Sequence, residues 1–163
     1  MTEMWNLSDE VNDSRLVTLQ SLQFDDRPVA ESQLLDFVQE IFPELKPVEV
    51  ELRPSAVSLN SINGFLRLED GRRLFFKTHV EPDSVINEYY NSTLLAEVGY
   101  PIYQPLYAST EYGKQFLVYE LVESPLLFDV VNMIESHRDS AASAEIDSLT
   151  AEQHAVDEKL WGI

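Results

Sequence analysis

FLRLEDGRRLFFKTHVEPDSVINEYYNSTLLAEV, residues 65–98, changes its period halfway along, and the change sets the fold. "FLRL" and "RRLFFKT" flank Asp70-Gly71, a strong hairpin signal, so the first half predicts two antiparallel strands. Side chains alternate along a strand, which puts Phe75, Lys77 and His79 on one face and Leu74, Phe76 and Thr78 on the other. From Pro82 the spacing lengthens. Asp83 or Ser84 offers a cap, Ile86, Tyr90, Leu94 and Val98 recur at intervals of four, and Gly99 and Pro101 close the segment. That pattern predicts a helix of about four turns.

Outward from this stretch, "VEVELR" from Val48 alternates apolar and charged residues as a half-buried strand does, and "SLNSING", residues 58–64, is turn-rich. "YQPLYAST" and "KQFLVYELVE" read as two further strands joined around "EYGK". The predicted order is β β β α β β: an α+β fold with a five-stranded antiparallel sheet, one helix crossing it, and flanking helices. "PVAESQLLDFVQEIF", from Pro28, aligns Val29, Leu34, Phe37, Val38, Ile41 and Phe42 along one side of a helix stopped by Pro43. Residues 1–27 read as a polar extension whose Trp5, Leu16, Val17 and Leu19 dock partly, residues 28–124 as the domain, and residues 125–163 as connecting helices. In that last zone "LLFDVVNMIE" predicts a helix, "SHRDSAASAEIDS" a flexible loop, and "LTAEQHAVDEKLWGI" a capped helix with little to pack on.

Composition limits the function. The 163 residues contain no cysteine, which excludes a disulfide framework and thiolate metal sites. The net charge of −18, from 29 acidic and 11 basic residues, argues against nucleic acid or an anionic membrane surface as partner. No apolar run is long enough to span a bilayer, and "MTEMWNLSDE" lacks a basic n-region followed by an apolar h-region, so a cytoplasmic location is expected. Charge is uneven along the chain: residues 54–118 carry 7 acids against 5 bases, whereas residues 119–163 carry 10 against 2. The middle can tolerate a small anion. His79, His137 and His154 have no ligand spacing and read as surface residues.

Lys77 is the residue that asks for a role. Both faces of its strand carry a phenylalanine, so the strand is expected to be covered on both sides, and a covered ammonium needs a partner. Glu88 on the following helix lines up with Val85, Ser92 and Leu95 on the flank of the apolar stripe, where it can look toward the sheet. Spacing alone leaves three readings open: a lysine held for a phosphate, a structural ion pair, or a side chain that snorkels to solvent.

Taken together, "SLNSINGFLRL", "LFFK", "NEYYNSTLL" and "FLVYELVES", in this order and at these separations, resemble the small, N-terminal lobe of the protein-kinase-like fold. Within that fold the run is most similar to the aminoglycoside phosphotransferase and related small-molecule kinase branch. The resemblance implies that Lys77 contacts nucleotide phosphates and pairs with Glu88. It implies that "SLNSING" covers the phosphates, with Ser61 and Asn63 among the donors, although only Gly64 stands where such loops carry several glycines. It further implies that Tyr119 is the gatekeeper, and that the Glu120 carbonyl and Val122 amide face adenine. ATP with Mg²⁺ is the implied cofactor, and a small-molecule hydroxyl the implied acceptor.

Phosphoryl transfer in this fold also needs an aspartate to accept the hydroxyl proton, together with an asparagine and a second aspartate for the metal. None can be assigned here. His137-Arg138-Asp139 starts too soon after "YELVES", and Ala144 stands where the asparagine is expected, so the tripeptide reads as a chance match. The expectation is therefore a nucleotide-binding small lobe followed by the beginning of an incomplete large lobe, inactive by itself. The alternative is a non-catalytic module that binds a protein partner. Uncovered apolar residues in "LLFDVV" and "LWGI" further predict a weak homodimer through residues 125–163.

Overall fold

A computed structural model of the protein describes residues 15–54, 60–123 and 127–162. The chain divides into two compact units, one spanning residues 1–93 and 103–121, the other residues 94–102 and 122–163.

The first unit is α+β, built on a five-stranded antiparallel sheet of spatial order β1-β2-β3-β5-β4. Its strands are β1 (Pro47–Leu52), β2 (Ser61–Leu68), β3 (Arg73–His79), β4 (Tyr107–Ser109) and β5 (Phe116–Glu120). Helices α1 (Arg15–Asp25) and α2 (Arg27–Ile41) precede the sheet, and α3 (Pro82–Glu97) joins β3 to β4. The β2–β3 turn forms where Asp70-Gly71 places it. Gly71 takes a φ of 86°, open to a residue without Cβ, and the Asp70 side chain accepts the Arg72 amide at 3.0 Å. That turn sets a register pairing Arg67 with Arg73, Phe65 with Phe75 and Asn63 with Lys77.

Strand alternation then gives the sheet two unlike faces. The closed face carries Ile62, Leu66 and Leu68 of β2, Leu74 and Phe76 of β3, and Phe116 and Val118 of β5, all buried in one core with Leu16, Leu19, Leu34, Phe37 and Val38 of the two leading helices. Phe76 and Phe116 stack at 5.2 Å between centroids in the middle of it. The segment read as an extension is thus part of the core from Arg15 onward. Leu16 and Leu19 are fully buried, and the buried Gln23 donates to the Ser61 carbonyl at 3.2 Å. Asp26 caps α2 by accepting the Val29 amide at 3.3 Å, so the break between the two helices is a capped junction rather than a domain edge.

α2 also closes the sheet's outer edge. The Leu52 amide donates to Glu31 Oε1 at 2.9 Å, Arg27 donates to the Leu52 carbonyl, and the Gln39 side chain donates to the Pro47 carbonyl at 2.9 Å. Edge groups that would template another strand are occupied by side chains.

The opposite face is only half-covered, contrary to the expectation of burial on both sides. Phe65, Phe75, Lys77, His79 and Tyr119 are all partly exposed. α3 turns its Glu88 flank to the sheet, as expected, but leaves much of its apolar stripe uncovered. Tyr90, Leu94 and Val98 of the apolar stripe are exposed, while Val85 and Ser92, on the flank that holds Glu88, are buried. The flank turned toward the sheet is the one that brings the Glu88 carboxylate to Lys77.

In the second unit α3 ends at Glu97, Gly99 follows with a φ of 98°, and the Tyr100 amide closes the turn on the Leu95 carbonyl at 2.9 Å. Helices α4 (Leu127–His137) and α5 (Ser140–Trp161) follow. The loop expected at "SHRDSAASAEIDS" is mostly helix: Asp139 caps α5 by accepting the Ala141 and Ala142 amides at 2.9 and 3.1 Å, and the alanines behind it favour the helical state. Tyr100 donates to Asp157 at 3.0 Å and accepts from the Trp161 indole at 3.0 Å. Among the described residues no helix is long and apolar enough to cross a membrane.

Candidate functional site

The half-open face of the sheet is arranged in three bands. Nearest the β2–β3 turn are ion pairs, Glu49 with Arg67 and Glu51 with Arg73, the latter at 2.5 Å. Next comes an aromatic row. Phe65, Phe75 and Tyr119 stand opposite one another on β2, β3 and β5, with centroid spacings of 6.2 and 6.3 Å. The Arg73 guanidinium covers the outer end of that row, 4.0 Å from the Phe65 centroid. The third band is Asn63, Lys77 and Glu88.

Lys77 sits between Asn63 on β2 and Leu117 on β5, and its Nζ donates to Oε2 of Glu88. The other oxygen of the same carboxylate, Oε1, accepts the Tyr119 hydroxyl at 2.9 Å. Both carboxylate oxygens are therefore engaged, one by an ammonium and one by a phenol. Lys77 and Glu88 keep 36% and 33% of their side-chain surface exposed, so the ammonium stands at the rim with donors left for a further anion. Burial, and then the hydrogen bond and charge of Glu88, push the Tyr119 phenol well above its ordinary range, which keeps it a neutral donor. In this setting the carboxylate fixes the cation, and the cation can offer N–H groups to phosphate-type oxygens.

The other expected site residues are placed as follows. Asn63 lies directly across from Lys77, but its amide donates to Ser61 Oγ at 3.0 Å. Ser61 is buried, and its carbonyl accepts from Gln23. Both belong to β2, not to a loop over a ligand, which corrects the reading of "SLNSING"; its Ser58 and Leu59 lie outside the described residues. Gly64 is likewise a packing glycine. A Cβ there would stand 2.1 Å from the Glu51 carbonyl oxygen and 2.8 Å from a Phe76 ring carbon, so only glycine lets β1 approach.

Glu120 ends β5 opposite Leu74. Val118 two residues earlier accepts the Leu106 amide at 2.7 Å, so alternation sends the Glu120 carbonyl to that same side, beyond the end of β4. Val122 is exposed and belongs to the second unit. Asp139 of "HRD" has its carboxylate engaged as the α5 cap. Among the described residues no group of three His, Asp or Glu side chains is placed to hold a metal ion.

Sequence reasoning paired Lys77 with Glu88 but missed that Tyr119 completes the cluster. The signal was available: Phe75 and Tyr119 are each the last aromatic of a strand on one face, and pairing those strands brings the phenol to α3. No protein-family model matches the chain, and neither a curated protein nor a solved structure matches it.

Proposed function

We propose that the first unit is the nucleotide-binding small lobe of an ATP-dependent phosphotransferase whose acceptor is a small-molecule hydroxyl. The observation that carries this reading is the Lys77–Glu88 pair, donated from β3 to α3 beside the Phe65–Phe75–Tyr119 row. An ammonium anchored from behind suits the phosphate end of a nucleotide, and flat ring surfaces suit its base. The described residues provide the cation and the aromatic surface. The activity proposed for this chain is binding and orientation of the nucleotide.

Titration calorimetry of the full chain with ATP tests the reading. Lys77→Met should weaken ATP by about 10- to 100-fold, the worth of a hydrogen bond to a charged group, while adenosine binding stays within error. Equal ATP affinity in wild type and Lys77→Met, or no ATP binding by wild type, would sink it. The second reading is a non-catalytic module for a protein partner. It draws on the exposed Tyr90, Leu94 and Val98 stripe of α3, and it predicts no nucleotide binding at all.

A further inference from the structure

Lys77 and Glu88 are both long, flexible and about one-third exposed, and a pair of that kind is worth little and holds its geometry poorly. Tyr119 is different. Its aromatic side chain has two torsions, its ring rests 6.3 Å from that of Phe75, and the β3–β5 register fixes its backbone opposite Phe75. Its hydroxyl therefore meets Glu88 Oε1 from a rigid mount, at 2.9 Å. The phenol is only half-buried and water could satisfy it, so burial alone does not force this bond.

We propose that Tyr119 is a positioning residue for the Lys77 cation: by holding one oxygen of Glu88 it confines Lys77 to the other, leaving the remaining ammonium donors directed to an incoming triphosphate. Without the hydroxyl the carboxylate is free to turn, and the ammonium it carries swings with it, so those donors are no longer held toward the ligand. The consequence is selective. Removing one hydroxyl should reduce affinity for a phosphate-bearing ligand without changing affinity for the same base and sugar alone.

This inference rests on the nucleotide reading for its ligand, but its geometric half can be measured without one. The test uses Tyr119→Phe in the full chain, which keeps the ring and hence the packing. The sequence has only four lysines, so ¹³C relaxation at each Cε can be assigned, with Lys46, 71% exposed in its side chain, as the mobile reference. In Tyr119→Phe the order parameter at Lys77 Cε should fall toward that of Lys46. ATP should bind about three- to tenfold more weakly, a smaller loss than that of the ammonium itself because the hydroxyl acts only through Glu88, with adenosine unchanged. An unchanged Lys77 order parameter would overturn the proposal whatever the nucleotides do, as would equal weakening of ATP and adenosine. If wild type binds neither ligand, the nucleotide reading falls, and a drop in Lys77 order would still sustain the positioning role.

Discussion

The two faces of the sheet come from the same strands and differ in almost everything else. On β3, Leu74, Phe76 and Thr78 are buried to 3% exposure or less, whereas Phe75, Lys77 and His79, one residue out of phase, remain partly open. The closed face meets α1 and α2 and is apolar across three strands. The open face runs from ion pairs through aromatic rings to an ammonium held by a carboxylate. On β3 a period of two thus separates stability from chemistry in neighbouring residues, whereas on β5 Phe116, Leu117 and Val118 are all buried.

Phenylalanines 75 and 76 provide the sharpest way to break this contrast. Phe76 stacks on Phe116 with no exposed surface, so Phe76→Ala should cost about 3–5 kcal/mol in urea unfolding. Phe75→Ala, on the half-open face, should cost about 1 kcal/mol. Equal losses would mean that both faces are core. An intermediate effect is expected at Gly64, whose Cβ would press on the Glu51 carbonyl: Gly64→Ala should cost about 1–3 kcal/mol by forcing β1 away from β2. If that residue instead served a phosphate loop, the variant would unfold like wild type and lose only ligand.

Much of this was legible in the residues. Asp70-Gly71 announced the hairpin, and alternation from Phe75 to Thr78 assigned the faces. Lys77 pointed to Glu88 because an ammonium on a strand between two phenylalanines needs a partner. What failed was the reading of residues whose local preference and tertiary setting disagree. Ser61, Asn63 and Gly64 are turn-formers by composition, yet Ser61 is buried with its carbonyl bonded to Gln23 of α1, and Gly64 is required by the approach of β1. α3 was located correctly, and so was the Glu88 flank that looks toward the sheet, but spacing gave no sign that Tyr90, Leu94 and Val98 would stay exposed. The flank that faces the sheet carries Glu88, whose carboxylate meets Lys77, and a hydrophobicity count gives that carboxylate no weight.

The second unit extends the comparison to a region with little closed face of its own. Among its described residues only Val130 and Ala142 are buried apolar side chains, while Leu149 and Trp161 are more than half exposed. Stability there should lean on helix ends, so Asp139→Ala should cost α5 about 1 kcal/mol, read as lost helicity near residues 140–144 by amide exchange. No change in exchange would show that the cap is idle. We also propose that residues 125–163 form a weak homodimer. The surplus of 10 acids over 2 bases from residue 119 onward opposes it, so light scattering should show association rising with salt, and a strict monomer at high salt and high concentration would remove it.

At neutral pH the smallest effect belongs to Tyr119, because its phenol is protonated there in the folded and unfolded chain alike. The sign appears only in alkali. Burial and the neighbouring Glu88 raise the folded-state value above the ordinary phenol value of about 10, so the folded chain keeps this proton after the unfolded chain has lost it. A group that binds its proton more tightly when folded contributes stability that is fully present below the unfolded value and fades as pH rises through the folded one. The charged groups about it are Glu88 of α3, in direct contact, and Lys77 of β3, on the far oxygen. Wild type should therefore lose stability above about pH 10 more steeply than Tyr119→Phe, whose ring has no proton to give up. Parallel urea curves for the two proteins across that range would mean that the phenol is solvated rather than held by Glu88. The open face would then lose the fixed point on which Lys77 depends.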